Sequence, residues 1–79
     1  MTVAKERILM EGFPERLQKM RERRRISRGV MSELCGLSKS VISKYERGER
    51  QPKMETLILL ADFFECSIDY LVGRLNYPG

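Results

Sequence analysis

The chain has no histidine and no tryptophan, and the missing imidazole narrows the field most. It removes the nucleophile-base systems and general bases that rely on that ring. A structural zinc site draws four ligands from Cys and His, and only Cys35 and Cys66 are present, far apart and in no CxxC pair. Each falls in an apolar helical pattern, so both are expected to be buried free thiols, which suits a reducing cytoplasm. No apolar run approaches the roughly 18 residues that would span a bilayer, and no signal-peptide pattern is visible. Strand-period alternation, internal repeats and low-complexity segments are also missing. No carboxylate pair, nucleophile-base set or phosphate loop stands out. The reading is therefore not an enzyme, with no cofactor, metal or small-molecule ligand implied.

What is there fits one small folded domain. The 79 residues are 42% hydrophobic and 33% charged, far from the balance of a disordered tail. A domain of this size buries only about 60% of the surface its unfolded chain exposes, so its core is thin. The net charge of +4 points to an anionic partner without separating nucleic acid, membrane and protein.

Helical spacing and punctuation predict five short helices. Residues 1–12 (MTVAKERILMEG) carry Val3, Ile8, Leu9 and Met10 but no clean boundary. Pro14 suits a first helical turn, and Leu17 and Met20 follow on one face, which gives helix 1 over about 14–24 with Arg21 to Arg25 running out into solvent. Ser27 is a good N-cap for helix 2, whose stripe is Met31, Leu34 and Cys35 and whose stop is Gly36. Ser38 caps helix 3, and Gly48 ends it. Two short helices joined by a turn of three or four residues that contains Gly are what a helix-turn-helix requires. Beyond Pro52, Met54 to Glu65 reads as the central helix 4, with Met54, Leu57, Ala61 and Phe64 on one face and Ile58, Leu60 and Phe63 widening it. Ser67 caps a last helix in which Asp69 sits in the first turn, Ile68, Leu71 and Val72 pack inward, and Gly73 makes the stop.

Helix 3, from Ser38 to Arg47, divides by spacing. Val41, Ile42 and Tyr45 form an apolar edge. Ser40, Ser43, Lys44 and Arg47 fall at i, i+3, i+4 and i+7 on the other side, and Lys39 sits in the first turn. Lysine can donate to guanine O6 and N7, and serine can donate or accept at several bases. Taken alone, such a stripe is more often a solvated face.

The run SRGVMSELCGLSKSVISKYERGERQPKMETLILLADFFECSIDYLVG resembles the Cro/C1-type (XRE-like) family of phage and bacterial repressors. The most specific pieces are Cys35-Gly36-Leu37-Ser38, Ile42 to Gly48, Leu60 to Phe64 and Ser67 to Leu71, in that order and spacing, and the likeness runs from about Leu17 to Gly73. The resemblance implies an all-α, compact five-helix bundle of the phage-repressor DNA-binding domain type, with its helix-turn-helix at helices 2 and 3. Residues 13–74 would be that domain, residues 1–12 a preceding segment and residues 75–79 a short tail. It further implies binding to double-stranded DNA as a symmetric dimer in a prokaryotic or phage cytoplasm, with helix 3 in the major groove and repression as the outcome. Lys39, Ser40, Ser43 and Lys44 would then read bases. Arg28, Ser38, Arg47, Arg50, Gln51 and Lys53 would meet the DNA backbone. Tyr45 would anchor the core, and Glu46 would accept an intramolecular hydrogen bond.

Four features depart from the family pattern. Arg28 stands where Gln often both touches phosphate and braces helix 3; arginine keeps the phosphate contact but leaves the brace open. Gly29 lies inside helix 2, at about 0.5–1 kcal/mol relative to Ala. Val30 and Leu34 occupy a usually polar face, with Ile8 to Met10 as a possible cover, and Leu59 lies between Glu55 and Asp62. These apolar positions are either scattered surface hydrophobes or an interaction surface. Leu59, Leu75 and Tyr77 are the candidates for a homodimer contact. The main alternative function is a helix-turn-helix module for protein–protein interaction, as in an antitoxin or antirepressor. A membrane-surface role for Arg21 to Arg25 with Ile8 to Met10 lacks an extended apolar face.

Overall fold

In the computed structural model, which describes residues 12–78, the punctuation falls close to where the sequence put it. The helices are α1 (Phe13–Arg23), α2 (Arg28–Cys35), α3 (Lys39–Glu46), α4 (Met54–Phe64) and α5 (Ile68–Leu71). Residues 1–11, including Val3 and Ile8 to Met10, and Gly79 lie outside the described residues.

Three serines start three helices in the same manner. Ser27 Oγ accepts from Val30 N at 3.1 Å, Ser38 Oγ from Val41 N at 3.0 Å and Ser67 Oγ from Tyr70 N at 3.1 Å. Each satisfies a backbone donor that the first helical turn would otherwise leave open. Between α2 and α3, Gly36 takes φ 83°, which costs a residue without Cβ little. Ser32 Oγ then donates to Leu37 O at 2.6 Å and fixes the turn from the side. α4 ends differently: Glu65, not a glycine, occupies the left-handed region at φ 55°. Its carboxylate is on the surface, and its N–H still closes onto Asp62 O.

The core is shared evenly. Leu17, Met31, Ile42, Leu60 and Leu71, one from each helix, have no exposed surface, and Phe13, Tyr45, Leu57, Phe64 and Tyr70 surround them. α1 packs on α3, α2 on α3 and α4, and α5 on α4 and α1. Phe13 meets Tyr45 edge to face at 5.9 Å between ring centroids, which joins the start of α1 to the end of α3. Losing any one of the five central side chains to alanine should cost about 2–5 kcal/mol.

Four expectations need correction. Met54 and Ile58 do not complete the inner face of α4; they are 62% and 47% exposed. The packed stripe is Leu57, Leu60, Ala61 and Phe64, and Met54 opens the helix one turn before it. Arg21 does not run out into solvent but is buried at 8% exposure, because a carboxylate waits for it inside. Cys35 and Cys66 are free thiols but only half-buried. Leu34 does not join Met31 and Cys35 on the inner face of α2; it is 64% exposed. Leu75 is half-buried, and its carbonyl accepts from Arg16 Nη1 at 2.9 Å.

Candidate nucleic-acid interface

α3 is held from below by Ile42, Tyr45 and Glu46, all buried, and that orientation leaves Ser38, Lys39, Ser40, Lys44 and Arg47 exposed. Ser43 is half-buried. A short helix therefore carries two lysines and a serine outward on its first two turns, with a fourth polar side chain, Ser43, at the rim. That is the arrangement in which side chains near the start of a recognition helix reach base edges.

What fixes the angle of α3 is a buried carboxylate. Glu46, with its side chain 1% exposed, accepts from Arg21 Nε at 2.7 Å and Nη2 at 3.1 Å, and from Arg28 Nε at 2.9 Å. Arg21 Nη1 donates onward to Ile26 O at 2.9 Å. One side chain at the end of α3 is thus tied to α1 and to the first residue of α2. The Glu46 hydrogen bonds push the Arg21 guanidinium above its already basic range, outweighing the opposing effect of burial. A charged pair out of water needs this geometry and full satisfaction of its donors, and no buried side-chain N or O among the described residues lacks a partner. Arg28 consequently does brace helix 3, as an ion pair, with its side chain still 39% exposed.

Beyond Glu46 the chain turns through Gly48 (φ 73°) into a basic loop. Lys39 to Lys53 hold five basic residues against two acidic ones, and one of those two, Glu46, is already neutralised. Arg50, Gln51 and Lys53 are exposed. Arg47 is exposed as well but engaged: its Nε and Nη2 donate to Glu49 Oε2 and Oε1 at 2.8 and 3.0 Å. The Arg47 hydrogen bond holds the Glu49 carboxyl below the usual carboxylate range, and the Lys44 charge acts in the same direction.

Several contacts that shape this region were not expected from sequence. Arg21 reads as one of a surface run, and nothing local marks its partner 25 residues away. Arg16 ties α1 to the C-terminal turn through Tyr70 O at 2.6 Å and Leu75 O, with its guanidinium 4.9 Å above the Tyr70 ring. Arg24 lies over the Phe63 and Phe64 rings. Glu49 is two residues from Arg47, a spacing that a helix does not bring together and only the turn explains.

The sequence profile described as helix-turn-helix matches residues 17–71. That span covers all five cores of the helices and both halves of the α2–α3 unit. The chain belongs to the helix-turn-helix family. It is 38% identical over 60 residues to the HTH-type transcriptional regulator AnsR of Bacillus subtilis (strain 168), covering 76% of this chain and 52% of that one. To the cryptic phage CTXphi transcriptional repressor RstR of Vibrio cholerae it is 42% identical over 60 residues, 76% of this chain and 54% of the relative. Repressor protein C2 of Salmonella phage P22 is 34% identical over 58 residues, 73% of this chain and 27% of its own length. The chain thus spans about half the length of AnsR and RstR and less of C2. No solved structure matches significantly. Among the described residues no helix is long and apolar enough to cross a membrane.

Proposed function

We propose that this helix-turn-helix chain is a sequence-specific regulator of transcription that binds double-stranded DNA, most simply as a repressor. The observation that carries the reading is the orientation of α3. Its buried edge is locked by Ile42, Tyr45 and the Glu46 ion pairs, so the exposed Lys39, Ser40 and Lys44 form one outward surface. In this reading residues 13–74 are the DNA-binding unit, Lys39, Ser40, Ser43 and Lys44 meet base edges, and Arg28, Ser38, Arg50, Gln51 and Lys53 meet the backbone; Arg47, expected with them, is left out because Glu49 holds it. Phosphate contacts release counterions, so affinity should fall with salt at a log–log slope of about −0.9 per contact. Arg50→Ala should weaken binding to every duplex about equally and flatten that slope. A variant that lost operator binding alone would remove Arg50 from the backbone set. Selection of bound duplexes from a random pool identifies the operator. If no sequence is enriched, the claim of specific readout fails.

One recognition helix covers few base pairs, so the proposal includes a homodimer on half-sites about 34–36 Å apart or a multiple of that. The exposed Leu59 and Tyr77 and the half-buried Leu75 are its candidate contacts. Sedimentation with a palindromic duplex tests it, and a monomer on that duplex sinks it. The second reading, a protein-interaction module, draws on Val30, Leu34, Met54 and Ile58, which are exposed and lie off the α3 surface. Unrelated duplex DNA separates the two: it should compete with the partner of a DNA binder and leave a protein partner undisturbed.

A further inference from the structure

The basic turn after α3 contains one acidic side chain in an unhelpful place. Glu49 stands among Lys44, Arg47 and Arg50, on a surface that the proposed function turns toward phosphates. Its position is set by the backbone: Glu49 N donates to Lys44 O at 2.9 Å, closing the end of α3. Its carboxylate then takes Arg47 in two parallel hydrogen bonds, at 2.8 and 3.0 Å. Forked pairing of this kind suits a guanidinium equally to a carboxylate and to a phosphate. The two anions therefore compete for one cation.

We propose that Glu49 is an internal phosphate mimic that keeps Arg47 out of the DNA contacts and so limits the sequence-independent affinity of the turn. The proposal rests on the DNA-binding reading above. An exposed ion pair is weak, and a phosphate could in principle take Arg47 over. That exchange, however, leaves the Glu49 carboxylate bare beside the same phosphate, and two like charges at close range repel. Swapping one anion for another while exposing the first gains nothing. Arg47 stays on Glu49, and Arg50 and Lys53 carry the backbone contacts of the turn. Because nonspecific binding is almost wholly phosphate attraction, a carboxylate here acts on it directly and leaves the base-reading positions of α3 alone. Glu49 is thus a specificity-determining residue that touches no base.

The test needs no operator. Binding to a short duplex of arbitrary sequence is measured against salt for the parent, Glu49→Gln, Arg47→Ala and the double variant, with Asp62→Asn as a control. Asp62 is exposed on α4, and its loss changes the net charge by the same amount. Glu49→Gln should bind more tightly and steepen the log–log slope by about 0.9, a threefold to fourfold greater loss between about 50 and 200 mM salt. The double variant, which removes both members of the pair, should return to the parental slope, whereas Arg47→Ala alone bares the Glu49 carboxylate and should bind no more tightly than the parent. A slope flatter than the parent's in the double variant would overturn the inference, since Arg47 would already be on phosphate. So would a Glu49→Gln slope no steeper than that of Asp62→Asn. If the parent shows no salt-dependent binding to any duplex, the DNA-binding reading itself has failed.

Discussion

Removing the Glu46 carboxylate should be among the most damaging single changes in this chain. Glu46→Ala leaves Arg21 buried with Nε and Nη2 unpaired, while Nη1 keeps its bond to Ile26 O. Breaking a buried ion pair by deleting one partner costs about 3–5 kcal/mol. At roughly 0.05–0.15 kcal/mol per residue, a domain of this length has only about 4–12 kcal/mol in all. The variant should therefore lose much of its stability, with a urea midpoint lowered by about 3–5 M at a slope near 1 kcal/mol/M, followed by circular dichroism. The two arginines are not equivalent. Arg21 is buried and bidentate, whereas the Arg28 side chain is 39% exposed and can return to water. Arg28→Ala should accordingly cost about 1 kcal/mol or less. The double change Arg21→Met with Glu46→Leu should recover most of the loss, because apolar residues of similar volume can replace a buried pair at little cost. A loss below about 1 kcal/mol for Glu46→Ala, or a larger loss for Arg28→Ala than for Arg21→Ala, would refute this reading of the cluster.

Gly29 and Gly36 should respond to alanine with opposite signs in the same unfolding assay. At Gly29 an added Cβ meets nothing nearer than Ser27 Oγ at 3.8 Å, so stability should rise by about 0.4–1 kcal/mol, whereas at Gly36, with φ 83°, it should fall by about 1–2 kcal/mol. Lys39→Ala and Lys44→Ala should keep the fold and relax preference at particular base pairs by about 1–3 kcal/mol, read by selection from randomised duplexes; unchanged preference in both means that α3 does not read bases. Burial pushes the Cys66 thiol up, against a smaller opposing pull from Arg24. Its alkylation should be slower in the folded chain than in denaturant at the same pH, and equal rates would disprove the shielding. With the folded value raised, the stability held by the neutral thiol is complete below the ordinary thiol range and fades as pH rises through the folded value.

The order and ends of the helices were legible because they are local. Ser27, Ser38 and Ser67 each bond a backbone N–H three residues on, and Gly36, Gly48 and Gly73 each take a positive φ. Such signals need no knowledge of the rest of the chain. Core positions were nearly as clear where spacing singled out one stripe, as for Leu17 and Ile42. The reading failed on α4, where eight apolar side chains spread round most of the helix and period alone could not choose. Packing chose Leu57, Leu60, Ala61 and Phe64 and left Met54 and Ile58 outside.

The candidate site was legible in outline and not in its wiring, and the arginines show why. In sequence Arg16, Arg21, Arg24, Arg28, Arg47 and Arg50 count alike as one positive charge each. In the fold Arg21 is buried against Glu46, Arg16 is spent on two carbonyls and a tyrosine ring, and Arg24 stacks on phenylalanines. Arg28 divides itself between Glu46 and solvent, Arg47 is held by Glu49, and Arg50 alone of these stands in the turn with no ion pair among the described residues. The difference lies in partners that are 25 or 54 residues distant, or that only a left-handed glycine turn brings round. Net charge measures the long-range pull toward an anionic polymer. The number of phosphates actually neutralised depends on which guanidinium groups the fold has left unpaired, so Arg50 and Lys53, rather than the whole formal charge, should set the salt dependence contributed by this turn.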